Sequence, residues 1–127
     1  MNLLLARSLI TAARAEAERC GLRLAIAVVN AGGHLVAFER MDGVEWVAAD
    51  VALGKAYTAS AFETPSEDLA QRSEAVPLLA QSMMTMTGGR FVPQKGGLPV
   101  VVGESVSGRP GPAVLAATTT LLSSRSP

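Results

Sequence analysis

The sequence predicts a single α/β domain, a layered sandwich built from small aliphatic groups. Three observations carry this reading. The chain has 127 residues, the size of one ordinary domain; 49% of them are apolar and only 4% aromatic; and stretches with helical spacing are separated by short apolar runs bounded by glycine. A chain of this length and apolarity buries a core without staples. With Ala, Val, Leu and Gly abundant, the elements can approach closely, as tightly packed layers must.

Leu3, Ala6, Ile10, Ala13, Ala17 and Cys20 recur at helical spacing, with Arg7, Thr11, Arg14 and Glu18 opposite them. Residues 3–20 therefore form an amphipathic first helix, and Gly21 suits the left-handed position that ends it. From Leu22 to Val29 the only charge is Arg23; Leu22, Leu24, Ile26 and Val28 alternate with Arg23, Ala25, Ala27 and Val29. Both faces are mostly apolar, which predicts a central strand. Asn30-Ala31-Gly32-Gly33 tolerates positive φ and joins this strand to a second apolar run, His34 to Phe38, as a β-hairpin.

Met41-Asp42-Gly43 breaks the pattern. From Val44 to Phe62 the only charges are Glu45, Asp50 and Lys55, the mark of a largely buried helix. Residues 63–68 offer a Thr or Ser N-cap, a Pro near the first turn and acids placed to meet the helix dipole, so a shorter helix follows. Pro77 restarts or kinks that segment, and Met83-Met84-Thr85-Met86 carries it to the Gly88-Gly89 break. Leu98 to Val102 reads as a strand whose early Pro99 favours an edge or a first position. Beyond it Gly108-Arg109-Pro110-Gly111-Pro112 is a breaker cluster, Val114 to Leu122 a short helix and residues 123–127 a frayed end. The expected organisation is one domain over residues 1–127, with 109–127 an atypical tail.

Eleven basic residues balance eleven acidic ones, and no basic run or aromatic-interleaved patch occurs, which argues against nucleic acid and anionic membrane as partners. The opening residues lack a basic leader region and read as helix. No apolar stretch approaches the ~18 residues of a membrane span. A soluble, cytoplasmic protein with a small-molecule ligand is expected. Cys20 is the only cysteine; it cannot form an intramolecular disulfide, and with a single histidine it cannot build a Cys/His zinc cluster, so no metal site is expected.

His34 is the only imidazole, so any haem-iron or general-base role for histidine falls on it, although a lone turn-flanking histidine is more often structural. Arg40 and Asp42 sit where a strand gives way to a loop, a usual mounting point for ligand contacts; Asp42 equally suits a turn, bonding nearby backbone N–H groups. Lys55 lies among Ala52, Leu53, Gly54, Ala56, Tyr57 and Ala59. It must snorkel, pair or work: desolvated, it serves as a base or imine-forming amine; against an anionic ligand, it stays charged. Gly88-Gly89-Arg90 and Lys95-Gly96-Gly97-Leu98 join flexible backbone to basic side chains that can cradle a carboxylate or phosphate, though neither has phosphate-loop spacing and both read first as turns. The methionines serve as core filler or as the lining of a tetrapyrrole pocket.

Three blocks in order, residues 27–43 (AVVNAGGHLVAFERMDG), 54–62 (GKAYTASAF) and 96–102 (GGLPVVV), resemble the GlcG/HbpS haem-binding family across roughly residues 3–107. The resemblance implies an antiparallel β-sheet with helices packed on both sides, assembly into a homo-oligomer, haem or a related tetrapyrrole as ligand for some members, and kinship with the C-terminal domain of PduO-type corrinoid adenosyltransferases. Fold follows from such a likeness more firmly than reaction does. Asn30 stands where the family usually has Asp, and the breaker cluster interrupts where the family has a further strand and a closing helix. The chain from Arg109 onward is therefore expected not to complete the final strand and helix.

Three functions fit these residues. The leading one is a small-molecule-binding protein in which His34, Arg40, Asp42, Lys55, Gly96 and Gly97 form the site and the cations meet acidic substituents. The second is a cofactor-independent enzyme moving a proton on a small oxygenated metabolite, in the manner of an isomerase or lyase, with Lys55, Asp42 and His34 as its catalytic groups. The third is a structural oligomeric subunit, which would account for the long apolar helix without a ligand.

Overall fold

The computed structural model describes residues 2–104 and 110–119, with side chains through residue 98. In chain order the elements are α1 (Leu3–Arg19), β1 (Leu24–Val29), β2 (Leu35–Arg40), α2 (Trp46–Phe62), α3 (Ser66–Ala75), α4 (Pro77–Met86), β3 (Gly97–Glu104) and β4 (Pro110–Thr119). The strands form one four-stranded sheet in the order β2-β1-β4-β3, and each neighbouring pair is antiparallel.

The ends of α1 follow from its sequence. The Asn2 side chain accepts the Leu5 N–H at 2.8 Å, satisfying one of the orphan donors of the first turn. At the other end Gly21 has φ 70°; its N–H donates to the Glu18 carbonyl at 3.2 Å and that of Leu22 to the Ala17 carbonyl at 2.8 Å. That pair of bonds is a Schellman motif, and it requires the left-handed residue that glycine supplies.

All six residues of β1 are buried, and its alternation builds two cores. Leu24, Ile26 and Val28 meet Ala6, Ile10 and Ala17 of α1 on one face. Ala25, Ala27 and Val29 meet Val44 and then Ala48, Ala52, Ala56 and Ala59 of α2 on the other. The α2 alanines recur at four- and three-residue intervals and so form one stripe along the helix. Helices thus cover both faces of an antiparallel sheet, and β1 lies inside it, as the alternation required.

Three local expectations are corrected. Neither Thr64 nor Ser66 caps α3: Pro65 occupies the N-cap position with no side-chain bond, while the fully buried Ser66 turns away to bond the Gln94 carbonyl and accept the Gly97 N–H at 2.8 Å. The segment from 114 to 119 is strand, not helix; Val114, Thr118 and Thr119 are β-branched and suit a pleated surface. The largest correction concerns the tail, because Pro110–Thr119 completes the sheet as an interior strand instead of leaving it.

The register explains why two prolines are tolerated there. β1 pairs with β4 only from Val114 to Thr119, whereas β3 continues alongside as far as Pro110. Pro110 and Pro112 therefore lie where β4 has one neighbour, and being two apart they direct both missing donors to the same side. Arg109 and residues 120–127 of the expected tail lie outside the described residues.

This arrangement makes the segment after Gly108 indispensable. Truncation there removes the strand that joins β1 to β3, so the shortened chain is expected to lose the cooperative unfolding transition in circular dichroism. A truncated chain melting like the full one would contradict the placement of β4.

Candidate functional site

The residues singled out by sequence fall into three places. Arg40 and Asp42 come together at the end of β2 away from the hairpin turn, lining a cleft of about 470 Å³ with Arg14, Glu18, Arg23 and Glu39. Arg14 of α1 pairs with Glu39 of β2. Arg23 lies across Gly43, where a Cβ would stand 2.3 Å from its guanidinium; Gly43 also has φ 83°. Charges of both signs in an open cleft are screened by water, and each such pair is worth about 0–1 kcal/mol.

His34 sits at the other end of the same strand. Six residue steps along extended chain separate it from Arg40, roughly 20 Å at about 3.3 Å per residue, so the two cannot meet one small ligand within one chain. The turn beside it is firmly tied. The Asn30 Oδ1 accepts the N–H groups of Gly32 at 2.9 Å and His34 at 3.0 Å, and the Ser60 hydroxyl donates to the carbonyls of Asn30 at 3.0 Å and Ala31 at 3.1 Å. The carboxamide oxygen of Asn30 meets both N–H groups without a negative charge, and α2 holds the turn through Ser60. His34 itself is exposed.

A second cleft, of about 380 Å³, opens beneath this turn between α2 and the segment after α4. Val29, Leu35, Leu53 and Tyr57 supply its apolar wall, and Asp50 and Arg90 its charges. Gly33, Gly54, Gly88 and Gly89 also line it, leaving backbone where side chains would narrow the space. Two of these glycines are forced by contact. Gly33, at φ 78°, lies so that a Cβ would approach the Tyr57 ring at 3.1 Å, and one on Gly54 would stand 2.3 Å from Val92.

Arg90 is the best-positioned cation in this cleft. Its guanidinium carbon lies 4.8 Å from the centroid of the Tyr57 ring, within cation–π range, and its Nε donates to the Thr87 carbonyl at 2.8 Å. Thr87 is held in turn, its hydroxyl donating to the Met83 carbonyl at 2.8 Å and accepting the Phe91 N–H at 3.0 Å. Among the described residues no carboxylate pairs with Arg90. Its remaining donors form the planar fork that takes a carboxylate in two parallel bonds.

Lys55 lies elsewhere, on α2 and 7% exposed, and it lines neither cleft. Burial pushes its amine below the usual lysine value, since desolvation disfavours the charged form. No described carboxylate pairs with it. Gly97 packs directly on its backbone: a Cβ there would stand 2.6 Å from the Lys55 carbonyl oxygen, and the Gly97 N–H is already engaged by Ser66 at 2.8 Å. Gly96 precedes it at φ 128°. Lys55, Asp42 and His34 are thus not gathered around one point of the chain.

Arg90 was visible in the sequence only as part of a glycine turn able to cradle a carboxylate, and Tyr57 only as company for Lys55. Nothing in the sequence signals that they stack, because they stand 33 positions apart. Among the described residues no group of three or more His, Cys, Asp or Glu could hold a metal ion.

Comparison with known proteins agrees with the architecture. The family described as haem-degrading protein HbpS-like matches residues 1–111. Protein GlcG of Escherichia coli strain K12 is 29% identical over 110 residues, covering 84% of this chain and 76% of its own. The crystal structure of a doubly substituted HbpS from Streptomyces reticuli superimposes with a TM-score of 0.74 at 28% identity, over 97% of this chain and 76% of that one. The PduOC–haem complex superimposes with a TM-score of 0.72 at 23% identity, over 89% and 78%, a likeness of fold.

The buried amine of Lys55 makes stability depend on pH. Its pKa is lower in the folded chain than the ordinary 10.5, so between those two values the unfolded chain holds more protons and stability rises with pH. Lys55→Met removes this contribution. The variant is expected to be at least as stable at neutral pH and to lack that part of the alkaline rise in denaturant titrations. A large loss at neutral pH would show the charged amine to be stabilised by a partner, and an unchanged alkaline rise would show that Lys55 is not its source.

Proposed function

The chain belongs to the HbpS-like family, and from that premise we propose that it binds a flat, carboxylate-bearing small molecule, haem or a related tetrapyrrole, in the cleft between the hairpin turn, α2 and the Gly88-Gly89-Arg90 turn. The observation that carries this reading is the Arg90 guanidinium, held by Thr87 and Tyr57 and paired with no carboxylate among the described residues, at the edge of an apolar wall. Small-molecule sites run to roughly 300–1,000 Å³ and combine such walls with a few placed polar groups. A cleft of about 380 Å³ takes one edge of a tetrapyrrole and leaves the remainder outside its mouth.

The residues present fit the periphery of such a ligand. Arg90 would hold a propionate, Leu35, Leu53 and Tyr57 would cover the apolar ring, and the glycines would let it approach the backbone. His34, exposed between the lining residues Gly33 and Leu35, is the one imidazole that could reach an iron. Haem, when bound, supplies redox chemistry at its iron; the chain's own part is to bind, orient and shield. The haem named for the PduOC complex and in the family description supports the ligand class.

We further propose that the protein works as a homo-oligomer. Leu4 is 77% and Trp46 72% exposed, large apolar groups that a second copy of the chain would cover. Among the described residues no helix is long and apolar enough to cross a membrane.

Haemin titration followed at the Soret band tests the site. The expected result is a saturable, stoichiometric shift, weakened about tenfold or more in Arg90→Gln, the loss typical of a charge-assisted bond, and unchanged in Arg40→Gln. No saturable shift would remove haem from the reading; sensitivity to Arg40 in place of Arg90 would move the site to the polar cleft.

A further inference from the structure

A third cavity lies away from both clefts, where α3 and α4 stand off the end of α2. The two helices are joined through Val76 alone, at φ −134° and ψ 73°, so the chain turns sharply at the residue before Pro77, as a residue preceding proline does. The short connection leaves a space of about 260 Å³ lined by Phe62, Leu69, Val76, Leu79, Met83 and Phe91. Its floor is firm: Leu69 is 3%, Phe91 5% and Ala80 7% exposed, and Phe62 meets Phe91 edge to face with ring centroids 5.8 Å apart. Its rim is open, with Val76 50% and Leu79 60% exposed.

Arg72 and Ser73 of α3 complete the lining. Among the described residues no carboxylate pairs with Arg72, although Asp68 stands one helical turn before it. An apolar chamber with one uncommitted guanidinium at its side matches a molecule with an apolar body and a single anionic end. The size is also selective. An apolar cavity of roughly 150 Å³ holds benzene, so this one suits a ligand of about ten heavy atoms, an aryl-substituted or medium-chain acid.

We propose that this cavity binds a small amphipathic monocarboxylate, with the apolar body against Leu69, Met83 and the Phe62–Phe91 pair and the carboxylate on Arg72. The site is independent of the tetrapyrrole cleft: it shares no lining residue with it and uses a different cation. Met83, unbranched and polarisable, can adapt its shape to ligands of differing outline.

The test is a titration of ¹³C-methyl-methionine protein with 3-phenylpropionate, followed by NMR, with 3-phenylpropan-1-ol as the uncharged counterpart. The expected result is a saturable shift of the Met83 methyl, about tenfold weaker with the alcohol and equally weakened by Arg72→Gln, a surface change that leaves the core intact. Ala80→Phe, which fills the floor, is expected to abolish the shift while the circular dichroism spectrum is kept. Absence of a saturable Met83 shift in the wild type would overturn the proposal. So would acid and alcohol binding alike, or a Met83 signal that follows protein concentration without any probe, since the last would mean that a second copy covers the cavity.

Discussion

The rest of the domain depends on the seam where α2 lies against β1. Ala48, Ala52, Ala56 and Ala59 face Ala25 and Ala27 across it, all of them fully buried. With methyl groups on both sides the helix can sit close to the sheet, and the interior still reaches native packing density without aromatic bulk. Larger side chains would force the helix outward, and such overpacking costs about 1–3 kcal/mol per site. The low aromatic content is therefore a structural requirement of this seam.

Close approach along the seam positions the segments that border the clefts. Ser60 reaches the hairpin carbonyls, Thr58 accepts the Val92 N–H at 2.7 Å, and Ser66 brackets the start of β3. Each of these hydroxyls fastens a connecting segment to the helix layer, and two of them, Ser60 and Thr58, hold segments that border the second cleft. Gly54 and Gly97 serve the same end by omission, since a Cβ at either would meet its neighbour at 2.3 or 2.6 Å. The second cleft is thus a consequence of helix-to-loop fastening, and Arg90 and Tyr57 meet because Thr58 and Thr87 hold the loop between them.

Much of this fold was legible in the sequence because its signals were local. The alternation from Leu22 to Val29, the glycine after the first helix and the glycine turn of the hairpin each act within a few residues of themselves. The final strand was misread because Pro110 and Pro112 are breakers only where both neighbours need donors, and strand register is a nonlocal property. The site was less legible for a similar reason. Arg40, Asp42 and His34 stand close in sequence, yet an extended strand carries its ends apart, while Tyr57 and Arg90 are far apart in sequence and packed together. Lys55 was rightly marked as unusual, since a lysine 7% exposed sits in the apolar helix that its neighbours implied.

The proposed tetrapyrrole binding turns on whether the cleft beneath the hairpin turn receives an acidic, planar ligand through Arg90. A crystal structure of the protein grown with haemin tests it most directly. The expected result is ligand density against Tyr57 and the Gly88-Gly89 backbone, with a propionate within hydrogen-bond distance of the Arg90 guanidinium. Ordered haemin seated instead among Arg14, Arg23 and Arg40, with the Arg90 cleft empty, would contradict it.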